Sequence, residues 1–231
     1  IPNTFNAIYQ FLFDNWRSLT GSVKEALAVS PIVPVGHTLI LPRRLFFRLA
    51  EDLSPFMHEI PRHFGAHEAF LKSLGIKESP CVADYQGFLL DLKGESRETA
   101  LNPNELRAVV AILSSIASQW EAERVSGATS SSGSSSSSSS SSNTADLCVP
   151  DENSVMRLAQ QCLVNDNSWL RNCAAPTLNA ANMHILHPLV LRELSSAQLD
   201  ALHVSHLSDT VSETLASSSP SALLSVDEEA Q

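Results

Sequence analysis

The chain has 231 residues, 43% of them hydrophobic, a length and content that suit one large or two small soluble domains. Fifteen basic against twenty-five acidic side chains give a net charge of −10, a field that repels phosphate backbones and argues against nucleic acid as a partner. No apolar run approaches the roughly 20 residues needed to span a bilayer, so no membrane partner is expected. Cys81, Cys148, Cys162 and Cys173 form no CxxC pair or regular framework and read as free thiols, mostly packed, in a cytoplasmic protein. Ile1 in place of Met, without a basic and then apolar leader, suggests a piece of a longer chain.

In chain order, Asn3 or Thr4 caps a predicted helix whose Phe5, Ile8, Tyr9, Leu12, Phe13 and Trp16 recur at helical spacing. Thr20-Gly21 ends it, and Ser22 with Glu25 has the form of a capping box opening a short helix to about Val29. Val33–Val35 and Thr38–Leu41 flank Gly36-His37, which suits a type II′ hairpin. Pro42 stops the second strand, and Arg43 to Ala50 returns to an apolar spacing near the helical period. Leu53-Ser-Pro-Phe56 reads as a turn, and 66–74 as a helix closed by Gly75. Ser79-Pro80 opens a helix with Val82, Tyr85, Phe88, Leu89 and Leu92 on one face, ended by Gly94. Asn102-Pro103 starts the strongest amphipathic helix, bearing Leu106, Val109, Val110, Leu113, Ile116, Ala117 and Trp120.

From Ser126 to about Thr144 the sequence is almost only serine, which buries no apolar surface against its conformational entropy and predicts a disordered tether or an expanded surface loop. Beyond it, Leu147–Val149 and Val155–Leu158 read as a second hairpin, 164–170 as a polar loop, and His184–His187 as extended. Pro188 opens a helix to about Leu194, and Ser196 caps another to about Leu202. The expected fold class is α+β and helix-rich, in two small lobes that each pack helices on a short hairpin-built sheet. The lobes are 1–125 and 145–212, with a disordered serine-rich linker at 126–144 and a flexible acidic tail at 213–231.

Chemistry is sparse. There is no GxGxxG, Walker-type glycine loop, GxSxG elbow or HExxH, so an enzyme is not expected, and neither is a cofactor. His58, His63 and His67 cluster, and His63 with His67 has a metal-compatible i, i+4 spacing, the basis of a metal-dependent hydrolase as a minor alternative. Gly65 between them and the lack of a completing carboxylate or thiolate weigh against it, and no metal ligand is assigned. Arg43 and Arg44 are candidate partner-facing residues, because Arg supplies a planar donor fork, and equally suit a solvated helix start. Asp166 and Trp169 form a second candidate partner-facing corner; the other reading is that the indole tethers its loop to the core.

The segments 33–44, Leu53-Ser-Pro-Phe56, 70–80 and 101–107, followed by Cys148-Val-Pro-Asp151, Val164-Asn-Asp166, Ser168-Trp-Leu170, 184–188 and 199–204, resemble consecutive landmarks of the large repeats of the sacsin family, over residues 1–212. The resemblance implies a fragment of a very large cytoplasmic chaperone-like protein. Its repeats begin with a GHKL-type ATPase module, and it works as a co-chaperone of the seventy-kilodalton heat-shock class. The nucleotide-binding acidic-Asn box and glycine-bearing Asp motif have no counterpart here; Asp84-Tyr-Gln-Gly87 is a superficial echo. The function so implied is a non-catalytic structural and coupling segment. Its partners would be neighbouring ATPase modules of the same polypeptide, unfolded clients and seventy-kilodalton-class chaperones. The alternative is an interaction scaffold from a degenerate repeat, and His203, standing where the family pattern has Gly, is one such departure.

Overall fold

The computed structural model describes residues 2–128 and 147–210; most of the serine-rich linker and the whole acidic tail lie outside them. The fold is α+β and helix-rich, with several two- or three-stranded sheets. It divides into two compact units that do not follow the serine tract: residues 1–87 with 102–112, and 88–101 with 113 onward.

In the first unit, α1 (Pro2–Asp14) and α2 (Gly21–Ala28) precede the hairpin β1 (Val33–Val35) and β2 (Thr38–Ile40). The strands pair antiparallel, Val33 with Ile40 and Val35 with Thr38, and Gly36 takes the positive φ of 61° that the tight turn needs. Expectation and structure diverge in three places here. The helix α1 already begins at Pro2, so neither Asn3 nor Thr4 caps it, and of its apolar stripe only Tyr9 is fully buried while Ile8 and Phe13 are exposed. These two lie at the margins of a stripe wider than the contact it makes. The N-cap of α2 is Thr20 without a side-chain cap bond, so Ser22 and Glu25 do not form a capping box. Residues after Leu41 do not form a helix: Pro42–Arg44 make one 3₁₀ turn and Leu45–Phe46 become β3.

The strand β3 pairs in parallel with β4 (His58–Glu59) on one side, and Phe46 bridges to Lys77 in parallel on the other. Between β3 and β4 the chain turns through Leu53–Phe56, with a cis Ser54–Pro55 bond. Between β4 and Lys77 it runs through a 3₁₀ segment (Arg62–His67) and α3 (Glu68–Ser73) to Gly75 at φ 92°. The core is aromatic: the Tyr9 ring lies 5.3 Å from Phe64 and 5.5 Å from Phe70, and Trp16 meets Phe70 edge-on at 5.7 Å. The Tyr9 hydroxyl donates to the Ile32 carbonyl at 2.8 Å, so this buried ring keeps its polar atom satisfied.

Next come α4 (Val82–Ser96) and α5 (Pro103–Ala128). The first runs through Gly94 to Ser96, and Arg97 at φ 51° makes the left-handed exit instead. The second has a reciprocal cap: Asn102 Oδ1 accepts from the amides of Asn104 and Glu105, while Glu105 accepts from the Asn102 amide. Leu106, Val109, Val110, Leu113, Ile116, Ala117 and Trp120 are all buried, as the period of that segment predicts.

In the second unit the hairpin β5 (Cys148–Pro150) and β6 (Met156–Leu158) leads through a 3₁₀ turn (Ala159–Gln161) into β7 (Cys162–Val164). The strand β7 is central, parallel to β8 (His184–Ile185) and to β9 (Ser205–His206). Residues 168–170, read from sequence as the end of a polar loop, instead open α6 (Ser168–Ala180). Its N-cap Asn167 accepts from the amides of Trp169 and Leu170. From β8 the chain continues into α7 (Pro188–Glu193) and α8 (Ser196–Ala201), the latter capped by Ser195, one residue earlier than predicted, in a capping box with Gln198.

The two units repeat one arrangement: hairpin, 3₁₀ turn, central strand, parallel partner, helical crossover, second parallel partner. Backbone geometry matches at several corresponding positions. The 3₁₀ turns start at Leu41 (φ −66°, ψ 136°) and Leu158 (φ −68°, ψ 140°) and end at Leu45 (−117°, 142°) and Cys162 (−112°, 144°). The Ile60 amide donates to the Phe46 carbonyl at 2.9 Å, as does that of Leu186 to Leu163. Pro61 (−58°, 133°) corresponds to His187 (−60°, 134°), and Gly75 to His203, which holds φ 54°. In this register His58 matches His184, Val35 matches Asp151, and Ile40 matches Arg157.

Candidate functional site

The side chains singled out in the sequence fall in separate places. Arg43 is exposed and Arg44 half-buried on the first 3₁₀ turn, where Pro42 is the buried member. His58 Nε2 lies 3.0 Å from the Pro55 carbonyl, the His63 ring lies tilted against Phe64 with ring centres 4.1 Å apart, and His67 and Tyr9 meet edge to face at 5.8 Å. The three histidines are thus engaged in packing or backbone contacts. Among the described residues no three His, Cys, Asp or Glu side chains are placed to hold a metal ion.

Asp166 and Trp169 separate in role. Asp166 accepts from the Ser208 amide at 3.2 Å and from the Ser208 hydroxyl, with His206 Nδ1 3.8 Å away. Burial raises the Asp166 carboxyl, but the Ser208 hydrogen bonds and the nearby imidazole outweigh it and leave the pKa below the ordinary carboxylate value. The carboxylate therefore ties the end of β7 to the segment after β9. Trp169 is 68% exposed, so its indole does not tether the loop to the core. All four cysteines are free thiols; Cys148 and Cys162 are buried while Cys81 and Cys173 are exposed. Burial first, and then the Asp151 charge, push the Cys162 thiol up to about 12, which keeps it unreactive.

Sequence reading missed the centre of the second unit. Asp151 is the one buried charged residue among those described, 1% exposed, at the mouth of the β5–β6 loop. Its Oδ1 accepts from the amides of Asn153 at 2.8 Å and Val155 at 3.0 Å, and its Oδ2 from Arg157 Nε at 3.2 Å. His184 Nδ1 stands 3.7 Å from the same oxygen. Arg157 turns its other two nitrogens to Glu98, at 2.9 and 2.6 Å, in a bidentate pair. The amide of Leu101 donates to the Ser154 carbonyl at 2.8 Å, and Glu152 pairs with Arg171. One carboxylate thus organises the hairpin loop and, through Arg157, the stretch after α4. The signal available was Asp151-Glu-Asn-Ser, an aspartate heading a turn whose amides it can accept.

A separate feature is apolar. Ile8, Phe11, Phe13, Val23, Val29 and Leu39 are all exposed, with Phe11 at 65%, and all belong to the first unit. Among the described residues no helix is long and apolar enough to cross a membrane. No family model, no curated protein and no solved structure matches this chain.

Proposed function

We propose that the chain is a non-catalytic structural and coupling segment of a large sacsin-like chaperone or co-chaperone. In this reading it links ATPase modules of the same polypeptide to unfolded clients or seventy-kilodalton-class heat-shock chaperones in the cytoplasm. The observation that carries the reading is the number of exposed large apolar side chains in the first unit: Ile8, Phe11 and Phe13 on α1, Val23 on α2, Val29 just after it and Leu39 on β2. A surface of this kind suits transient contact with apolar segments of another polypeptide or module. The ordered sacsin-like landmarks from 33 to 204 support it from the side of sequence.

The test is aggregation suppression. The full chain, added to a client protein unfolding on heating, is expected to delay turbidity, and the I8S/F11S variant to lose most of that effect while keeping its circular dichroism. A folded wild-type chain that neither protects the client nor binds a neighbouring ATPase module sinks the reading. One observation favours a scaffold from a degenerate repeat instead: His203 sits at a positive φ where the first unit has Gly75. A chain that binds a module yet leaves the client unprotected supports that second reading.

A further inference from the structure

Comparison of the two units isolates a charged site that the fold itself does not require. Val35 and Ile40 occupy the first hairpin where Asp151 and Arg157 occupy the second, and both hairpins lead into the same 3₁₀ turn and parallel strand. An aliphatic pair therefore suffices for this geometry, whereas a buried ion pair carries a desolvation cost. What the pair adds is an arginine held from behind. Asp151 fixes Nε, and the fork opens on a cleft of about 370 Å³ whose lining includes Lys93, Arg97, Glu98, Arg157, Gln161 and Asn182.

Three cationic residues, Lys93, Arg97 and Arg157, line this cleft. Lys93 and Arg97 have no ion-pair partner among the described residues, and Gln161 and Asn182 add side-chain amides. The only carboxylate in the lining is Glu98, itself 73% exposed and seated bidentate on Arg157. Glu98 shows what the fork accepts: two coplanar oxygens of an anion. We propose that this cleft binds a phosphate-type oxyanion, which takes the place of Glu98 on Arg157 and is held in addition by Lys93 and Arg97. The group would arrive as a free phosphate ion or monoester, or on a phosphoserine side chain. Lys93 and Arg97 also stand at the carbonyl end of α4, where cations stabilise a helix regardless of any ligand. That role alone predicts no response to phosphate.

Titration of the full 231-residue chain with inorganic phosphate, and separately with a phosphoserine peptide, followed by calorimetry and by the Arg Nε resonances, separates the two. Saturable binding that shifts the Arg157 signal is expected, falling about tenfold in K93Q/R97Q and weakening with added salt. Glu98→Gln, which removes the internal competitor, is expected to tighten binding. Binding of inorganic phosphate assigns a free anion, and binding of the peptide alone assigns a protein-borne phosphate. Absence of binding by both probes, equal binding in K93Q/R97Q with unchanged circular dichroism, or weaker binding in Glu98→Gln overturns the proposal.

Discussion

Arg157 Nε donates to Asp151 Oδ2 at 3.2 Å in the second unit, and the same two backbone positions in the first unit carry Ile40 and Val35. The protein thus solves one hairpin twice, once with a charged pair and once with an aliphatic pair. Removing only one member of the charged pair leaves the other without its partner. Asp151→Ala is expected to cost about 3 kcal/mol, since it strips two loop amides and Arg157 of their acceptor. The double variant D151V/R157I, which copies the first unit, is expected to recover the part of that loss that comes from the unpaired Arg157, while the amides of Asn153 and Val155 still lack their acceptor. Urea unfolding of the three proteins checks this, and a double variant no more stable than Asp151→Ala refutes the equivalence of the two hairpins.

Gly75 and His203 hold corresponding positions with φ of 92° and 54°. A side chain in that region costs about 1–2 kcal/mol, which glycine avoids. His203 is exposed, so its replacement removes strain without losing a buried contact. His203→Gly is expected to stabilise the protein by about 1 kcal/mol, and Gly75→Ala to destabilise it by a similar amount. Chemical denaturation gives both values directly, and a destabilised His203→Gly variant would show that the imidazole makes a compensating contact.

His187 caps α7 through Nδ1, which accepts from the Leu189 amide at 3.0 Å and so requires a neutral ring. Burial lowers its pKa below the ordinary histidine value, with the Asp151 charge opposing. In this case the unfolded chain takes up a proton at a higher pH than the folded one. Stability from this group is therefore complete above the unfolded value of about 6.5 and declines as pH falls through it towards the folded pKa. His187→Asn keeps a cap acceptor and removes the titration. Thermal melts between pH 7.5 and 5.5 should show a shallower slope in the variant; identical slopes would assign the dependence to other groups.

Trp169 and Ile116 sit at opposite extremes of burial. Trp169→Ala is expected to change stability by less than about 0.5 kcal/mol, whereas Ile116→Ala leaves a cavity and is expected to cost about 2–5 kcal/mol. The wild-type Trp169 should also be readily quenched by iodide. Protection of that fluorophore on adding a binding partner would map the partner to α6.

Local signals carried most of the elements in the sequence, because each depends on residues within one turn of each other. Gly36 and Gly75 mark positive φ, Asn102-Pro103 marks a helix start, and the 3.6-residue recurrence from Leu106 to Trp120 marks a buried face. The misses were also local in cause. Asn167 is an ordinary N-cap, but Pro176 inside α6 weakened the helical pattern after it. The apolar spacing after Pro42 fits a helix as well as it fits a 3₁₀ turn followed by a strand. Tertiary structure decided what lies far apart in the chain. The parallel pairings of β3 with β4 and of β7 with β8 and β9 are made by backbone groups, whose register leaves little trace in side-chain identity. For the same reason the correspondence between the units was hidden: Val35 and Asp151, or Gly75 and His203, hold matching positions and share no chemistry. The meeting of Glu98, Arg157 and Asp151 depends on that folded register alone, since 59 positions separate the first two.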